Sequence, residues 1–513
     1  MKKILVILTS LFLFVNLNSQ QQSYYYNPVI RGDMADPCMI RIGEVYYATG
    51  TSSEWAPFYP VFKSKDLINW EQTGHIFGEK PEWTSSSFWA PELFFHNNQV
   101  YCYYTARRKT DGVSYIGVAT AKTPTDEFTD HGLLVEYGTE AIDAFIFDDN
   151  GQLYITWKAY GLDERPIELI GSKLSADGMR LEGEPFTLMV DDERIGMEGQ
   201  YHFKKGDYYY ILYSARSCCG PQSDYDVRVS RSKNFTGPYE KYEGNPILYG
   251  GGQDYLSCGH GTAATTPDGR MFYMCHAYLK GDGFYGGRQA IIQEMYVGDD
   301  NWVHFTTGNV AKSKQLMPFK GTIQQPLKDF EDSFDEKNIK LDWAWNYVYS
   351  DNKAKIQDGK LILSGVSKGE TRNATAMCLR PKSDRYTYET MVSNTNESLK
   401  GLTMYGDNKN YIAFGIQGNT LIATMLKDGN QSTLARIADI NTPVYLRIGI
   451  EKGCIADFFW SNDAKSWKKI NDTPIDCSSL VRWDRVARPG FIHDGDINSP
   501  AEFSYFKLTN TNN

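Results

Sequence analysis

The stretch 97-NNQVYCYY-104, a polar turn entering an aromatic strand, decides the fold because the chain repeats it. Reference aromatics at positions 46, 101, 154, 209 and 272 are 55, 53, 55 and 63 residues apart. Short strands bounded by turn residues, without helical periodicity, are typical of all-β proteins, and five such repeats are typical of propeller blades. The other copies are 43-GEVYY-47, 149-DNGQLYI-155, 205-KGDYYY-210 and 267-PDGRMFY-273.

The repeat stops after about residue 312, and a second, denser series of strand patterns begins near residue 329. Strands at this density, separated by Gly and Asn turns, are typical of a β-sandwich. The sequence therefore predicts a five-bladed β-propeller at 24–311, a linker at 312–328 and a β-sandwich at 329–510. Two domains also suit a chain of 513 residues.

The N-terminus predicts export. Lys2 and Lys3 precede an apolar run from Ile4 to Val15, as in a secretory signal peptide, which we place at 1–20. We expect a secreted or periplasmic protein without a membrane span, because the run is short. A net charge of −10 argues against nucleic acid as a partner. The oligomeric state is left open.

The nine cysteines show no zinc-site spacing. Most are expected to be buried as small apolar residues. An oxidising compartment also permits a disulfide that could involve Cys218 or Cys219, although pairing cannot be read from one sequence.

A polar residue lies 9 to 12 positions before each reference aromatic. Equivalent offsets in equivalent blades place these side chains on the innermost strands, facing the central channel. Buried like charges are costly and shift one another's pKa, so such a cluster favours a functional role over packing. The five residues are Asp36, Glu92, Asp143, Glu198 and His260, of which we assign Glu92 to the scaffold.

Six short blocks occur in order at blade spacing, which is far more specific than any one of them. They are 27-NPV-29 with 35-ADP-37, 89-WAPE-92, 142-IDAFIF-147, 197-MEG-199, 259-GHG-261 and 287-GR-288. Together they resemble glycoside hydrolase family 43 across about residues 24–310. The family often has Pro after its Glu-Gly, where this chain has Gln200; we expect this to alter the pocket's shape rather than abolish activity.

The resemblance implies an inverting hydrolase that uses three acids. Asp36 would be the general base that activates water, Glu198 the general acid, and Asp143 would orient Glu198 and raise its pKa. An inverting enzyme holds its two carboxyl groups roughly 6.5–9.5 Å apart, which opposite walls of a channel can provide.

Further positions carry weaker expectations. Trp89 and Phe145 are expected to line the sugar subsite, although core packing fits them almost as well. Arg288 resembles the family's substrate-binding arginine. His260 resembles the histidine near which many members hold calcium, so a structural calcium is possible in the channel; a structural histidine is the alternative. No cofactor is expected for the chemistry.

The resemblance implies a plant polysaccharide or oligosaccharide as substrate. Because galactan-cleaving members often lack the base that Asp36 would supply, terminal pentosides are favoured, as for a β-xylosidase or an α-L-arabinofuranosidase. Endo-arabinanase and galactan-cleaving activities are the alternatives, and the loops at 55–59 and 218–225 decide between exo and endo action. Family 32 is set aside because its Asn-Asp-Pro-Asn block is absent.

Two other classes stay open. A non-catalytic glycan-binding propeller would not need all three acids, and a structural adhesin would leave their register unexplained. The second domain resembles the concanavalin-like sandwich of some family members. Its Trp343, Trp345 and Trp467 could stack on sugars, although core packing or contact with the propeller is favoured.

Overall fold

The computed structural model describes residues 23–160, 166–368 and 374–511, and the predicted signal peptide at 1–20 lies outside them. Within these ranges the regular structure is β-strand apart from two 3-10 turns, Gly281–Gly286 and Ser478–Leu480. The all-β prediction is confirmed. No helix in this part of the chain is long and apolar enough to cross a membrane.

Five antiparallel sheets of four or five strands follow one another in the first part of the described chain. The first comprises Cys38–Ile42, Val45–Thr49, Phe58–Ser64 and Glu71–Phe77. The second comprises Thr84–His96, Gln99–Arg108, Ser114–Ala121 and Thr129–Val135. The third comprises Glu140–Asp149, Gln152–Tyr160, Glu168–Leu174 and Leu181–Val190. The fourth comprises Glu198–Lys205, Tyr208–Ala215, Asp226–Ser232, Glu240–Lys241 and Leu248–Tyr249, and the fifth Tyr255–Thr265, Met271–Leu279, Arg288–Val297 and Val303–Phe305.

The innermost strands of these sheets contact one another in sequence, and the innermost strand of the fifth contacts that of the first. This closed contact ring is a five-bladed β-propeller, as predicted. Ser114–Ala121, the third strand of its blade, is buried at every position because adjacent blades cover both of its faces. A short sheet of Tyr24–Tyr26 and Lys314–Leu316 ties the two ends of the propeller together.

Two further sheets pack face to face over a shared apolar core. One contains Phe330–Asp332, Lys355–Gln357, Lys360–Leu363, Tyr386–Val392, Val444–Glu451, Ile455–Ser461, Lys468–Lys469, Ile475–Asp476 and Ala501–Asn510. The other contains Thr375–Cys378, Leu399–Asp407, Asn410–Gln417, Thr420–Lys427, Asn430–Ile437 and Arg488–Asp494. Alternation of buried and half-buried residues along Tyr386–Val392 is the pattern of a strand with one face in the core. The predicted β-sandwich is confirmed.

The sandwich is joined to the propeller by backbone pairing and a buried ion pair. Trp345–Asn346 pairs with Trp55–Ala56 of the first blade, while Ser350–Asn352 pairs with Gly365–Ser367 within the sandwich. Arg488 donates to Asp33 Oδ2 at 3.2 Å and lies over the ring of Trp55 at 4.1 Å. Because these groups are buried together, the two domains are held in a fixed contact along the first blade.

The three tryptophans of the sandwich have different surroundings. Trp343 is 1% exposed and donates from its indole to Asp332, so it is a core residue, which is the favoured alternative. Trp345 packs against the propeller core, the favoured alternative. Trp467 is half-buried, with the Arg447 guanidinium 3.8 Å from its ring centre.

Replacing Trp343 by Ala should lower the unfolding free energy of the sandwich by about 3–5 kcal/mol, because a large buried ring leaves a cavity. Scanning calorimetry measures this as a lower transition temperature. The matched control is Trp467→Ala in the same domain, which should change the transition much less. Equal transition temperatures for the two variants would contradict the core assignment of Trp343.

Candidate active site

Each innermost strand of the propeller contains, or closely follows, a residue with left-handed backbone at the central channel. Such a residue is uncommon outside glycine, and in strands it accompanies a bulge that re-aims a side chain. The pairing register shifts at this point in the second, third, fourth and fifth blades. The five residues are Asp36, Ala90, Asp143, Gly199 and His260, with φ of 49°, 40°, 60°, 60° and 47°.

The backbone N–H of each of these residues donates to a side chain of the preceding blade. We call this set the cross-blade hydrogen bonds. In four blades the acceptor lies in or just after the second strand of the preceding blade, and in the fourth blade it is the Asp143 carboxylate. The pairs are Asp36 N to His276 Nδ1 at 3.0 Å, Ala90 N to Thr51 Oγ1 at 2.9 Å, Asp143 N to Thr105 Oγ1 at 3.2 Å, Gly199 N to Asp143 Oδ2 at 3.1 Å and His260 N to Ser214 Oγ at 2.7 Å.

This geometry corrects the expectation that the five polar residues occupy equivalent positions. Asp36, Asp143 and His260 are equivalent, but Glu198 precedes its left-handed residue by one position and Glu92 follows its own by two. Glu92 is 7% exposed and lies beside Cys38 in the channel. Burial raises the pKa of Glu92 to about 8, so it is protonated near neutral pH.

Asp36 is surrounded by cationic and hydrogen-bonding groups. Its Oδ1 lies 3.4 Å from Arg288 Nη1 and 3.5 Å from His260 Nδ1, and its Oδ2 accepts from Thr51 Oγ1 at 2.6 Å. Burial raises the pKa of Asp36, but Arg288 and His260 together lower it well below the usual range. Asp36 is therefore a carboxylate down to low pH.

Asp143 and Glu198 form a coupled pair on adjacent blades. Asp143 Oδ2 accepts from the N–H of Gly199, next to Glu198 in the chain, and so fixes the backbone that carries the second acid. Burial raises the pKa of Asp143 to about 6, opposed by His260 and reinforced by the nearby charge of Glu198. Asp143 therefore takes up a proton near pH 6, and the ionisation of Glu198 influences this step.

Lys158 changes the expected electrostatics of Glu198. Its Nζ donates to Glu198 Oε2 at 2.8 Å, and Tyr225 donates its hydroxyl to Oε1 at 2.8 Å. Burial raises the pKa of Glu198, but Lys158 outweighs it and lowers the pKa below the usual value. The pKa of Glu198 is thus lowered, whereas the presence of Asp143 was expected to raise it. Here the shared proton resides on Asp143.

His260 lies between Asp36 and Asp143. Its Nδ1 lies 3.5 Å from Asp36 Oδ1 and 4.0 Å from Asp143 Oδ2, and its ring lies over Gly199, where an added Cβ would come within 2.7 Å. In the described ranges no group of three or more His, Cys, Asp or Glu side chains is arranged to hold a metal. The expected calcium near His260 stays a prediction.

The three residues that were expected to contact the sugar lie in different surroundings. Trp89 is half-buried next to Ala90 and lies beside the Arg107 guanidinium. Phe145 is 7% exposed and packs edge to face on Tyr201, so its position is that of a core residue and not of a sugar platform. Arg288 is buried against Asp36, and its expected contact with substrate stays a prediction.

The sandwich contributes a loop to the site. Asp484 Oδ2 lies 3.9 Å from Arg288 Nη2, and the backbone of Trp483 lies against Gly220 in the loop between the second and third strands of the fourth blade. Trp483 is 55% exposed beside this contact. The wall near Arg288 is thus built from both domains.

Several site residues were missed by sequence reasoning because they lie outside the innermost strands. Lys158 had a signal, since it is a single charged residue in the apolar run 153-LYITWKAY-160. His276 likewise interrupts the apolar strand Met271–Leu279. Tyr225 and Asp484 carried no signal, because their roles depend on the folding of loops.

A propeller channel with carboxylic acids held in opposite protonation states is an arrangement that acid–base hydrolases of glycosidic bonds use. The family model for glycosyl hydrolases family 43 matches residues 25–303. The chain belongs to this family. A second model, the beta xylosidase C-terminal concanavalin A-like domain, matches residues 331–492.

Named relatives and solved structures that resemble this chain agree with the family assignment. The chain is 32% identical over 291 residues to an extracellular exo-alpha-(1->5)-L-arabinofuranosidase of Cellvibrio japonicus, covering 49% of this chain and 81% of the relative. It is 24% identical to a xylan 1,3-beta-xylosidase of a Vibrio species, covering 88% and 91%. A family 43 protein from Bacillus licheniformis has the same fold, with a TM-score of 0.82 at 21% identity over 95% of this chain and 100% of that one.

Replacing Lys158 by Met should raise the pKa of Glu198, because an adjacent positive charge is removed while the aliphatic length is kept. The alkaline limb of kcat/KM for an aryl glycoside should then move to higher pH. Lys158→Arg, which keeps the charge, is the control. An unchanged alkaline limb in the Met variant would show that Lys158 does not set the ionisation of the acid.

Replacing Thr105 by Val removes the acceptor of the Asp143 N–H and keeps the side-chain shape. A buried donor without a partner costs about 1–3 kcal/mol, so we expect a lower transition temperature and a reduced kcat. Thr120→Val in the same blade, away from the left-handed residues, is the control for a lost hydroxyl. Equal kcat for both variants would contradict a positioning role for Thr105.

Proposed function

We propose that this protein is an exo-acting hydrolase of terminal pentosides, a β-xylosidase or α-L-arabinofuranosidase, in which Asp36 is the general base and Glu198 the general acid. The observation that supports this proposal most directly is that the surroundings hold the acids in opposite protonation states. Cations hold Asp36 ionised, while the coupled pair of Asp143 and Glu198 retains a proton near pH 6. An inverting hydrolase needs both states at once.

In the proposed reaction, Asp36 accepts a proton from a water molecule whose oxygen attacks the anomeric carbon. The bond between that carbon and the leaving oxygen breaks, and the leaving oxygen takes a proton from Glu198. Attack from the opposite face inverts the configuration. Thr51 and Arg288 fix the orientation of the Asp36 carboxylate throughout.

Asp143 supplies the proton that Glu198 needs. In the free protein Lys158 favours the ionised form of Glu198, so the pair's proton lies on Asp143. A sugar leaving group beside Glu198 excludes water and makes a bare carboxylate there costlier, which favours transfer of the proton to Glu198. Asp143 thus acts as a proton store and as the anchor of the Gly199 backbone.

Two observations support terminal pentosides. Relatives that align over most of both chains are named xylosidases, and a more identical relative is named an exo-acting arabinofuranosidase. The loop with Trp483 and Asp484 closes one side of the site, which suits a pocket for a chain end better than an open groove. Relatives named extracellular support an exported protein that meets plant polysaccharide outside the cell.

The test uses Glu198→Gln and Asp36→Asn on two kinds of substrate. Loss of general acid or base catalysis should reduce kcat/KM by about 10²–10⁴-fold. With aryl β-xylosides or aryl α-arabinofuranosides carrying a good leaving group, the Gln variant should lose much less than on xylobiose or arabinan, because such leaving groups need little protonation. The Asn variant should lose activity equally on both kinds.

Proton NMR of the first product gives the stereochemistry, and linear arabinan distinguishes exo from endo products. Release of the anomer that retains configuration, or undiminished turnover by either variant, would refute the proposed roles. No turnover of any pentoside by the wild type would refute the proposed substrate class.

A further inference from the structure

Cys218 and Cys219, adjacent in the chain, are joined by a disulfide in the loop between Tyr208–Ala215 and Asp226–Ser232. Among the described residues it is the one disulfide, and the seven other cysteines are free and buried. The loop runs from the base side of the site to the acid side, because it ends at Tyr225, which donates to Glu198. The disulfide therefore belongs to the loop that borders both reacting groups.

Cys219 lies against Arg288. Arg288 Nη1 is 3.6 Å from Cys219 Sγ and 3.4 Å from Asp36 Oδ1, so one nitrogen faces both the disulfide and the base. Cys219 is 7% exposed, while Cys218 is more accessible. The next residue, Gly220, donates its N–H to the Tyr278 hydroxyl and lies against Trp483 of the sandwich. Cys219 is thus held in place from both sides.

We propose that the Cys218–Cys219 disulfide is a positioning element that holds Arg288 on Asp36. This inference rests on the proposed role of Asp36 as the base. A disulfide sulfur is neutral and a weak acceptor, so it fills the space beside the guanidinium without competing for its charge. Bridging two adjacent residues also removes backbone freedom from the loop that presents this sulfur.

Reduction of the disulfide would place a charged group next to Arg288 instead of a neutral one. A thiolate of an added dithiol attacks the more accessible Cys218 sulfur, the bond to Cys219 breaks, and Cys219 leaves as a thiolate that Arg288 stabilises. The second thiol of the reagent then displaces Cys218, so the reagent becomes a cyclic disulfide and the protein has gained two electrons and two protons before ionisation. Arg288 would now be shared between Asp36 and a second anion.

The consequence falls on Asp36. The charged or titratable groups that face it are Arg288, His260, His276, Asp143, Tyr225 and Asp484. Of these, Arg288 contributes most to keeping it ionised, and an adjacent cation typically lowers a carboxyl pKa by about 1–3. Neutralising Arg288 with a thiolate should therefore bring the acid limb of kcat/KM up by about one pH unit or more, and should reduce kcat/KM at low pH.

The experiment compares oxidised wild type, dithiol-reduced wild type and the Cys218→Ser/Cys219→Ser variant. Alkylation under denaturing conditions and mass spectrometry report the redox state, because reduction adds two reactive thiols. We expect the raised acid limb in the reduced protein, its reversal on reoxidation, and no response of the double variant to dithiol. The double variant itself should show a smaller rise, since its loop is released but no thiolate forms.

Crystal structures of the oxidised and reduced wild type and of the double variant give a readout that needs no activity. We expect the separation of Arg288 Nη1 and Asp36 Oδ1 to increase in the reduced protein. An unchanged guanidinium position, or an unchanged pH profile in protein shown to be reduced, would overturn the inference. If the bond resists reduction, an unaltered guanidinium position in the double variant overturns it. An oxidised wild type that hydrolyses no glycoside would refute the proposed function alone.

Discussion

The cross-blade hydrogen bonds are the constraint on which the rest of the site depends. Left-handed backbone at a non-glycine residue costs about 1–3 kcal/mol, and persists where the surroundings over-determine it. Here each bent N–H is tied to a side chain of the neighbouring blade, so closure of the ring and bending of the strands support each other. Because the bends aim Asp36, Asp143 and His260 into one channel, the geometry of the site follows from the packing of the blades.

This constraint also explains the electrostatics. Once three acids are fixed around one buried space, they cannot all be ionised without compensation. Arg288 and His260 supply it on the side of Asp36, and Lys158 supplies it on the side of Glu198. Asp143 has only the more distant His260 and Lys158, and is the acid that stays protonated to about pH 6. The different protonation states of the three acids thus follow from where the cationic side chains lie.

The sequence predicted the fold well because blades repeat, and a repeat exposes its period in the aromatic strands. It also located the acids by counting residues from each hairpin along the innermost strand. Each bulge shifts this count by only one or two residues, as at Glu198 and Glu92. It could not predict Lys158 as the partner of Glu198 or the approach of Asp484, because these contacts join segments with no shared register. The burial of Phe145 was missed for a simpler reason: an aromatic residue in a strand has the same pattern on either face.

The contact between Asp484 and Arg288 bears on how such proteins can be divided and recombined. A propeller expressed without the sandwich would lose the Asp484 carboxylate from the surroundings of Asp36 and expose the Arg288 guanidinium to solvent. Grafting the sandwich of a relative would restore the negative charge beside Arg288 only if the grafted loop placed an acidic residue where Asp484 lies. Exchanging the sandwich between such proteins therefore changes the ionisation of Asp36 as well as the shape of the site.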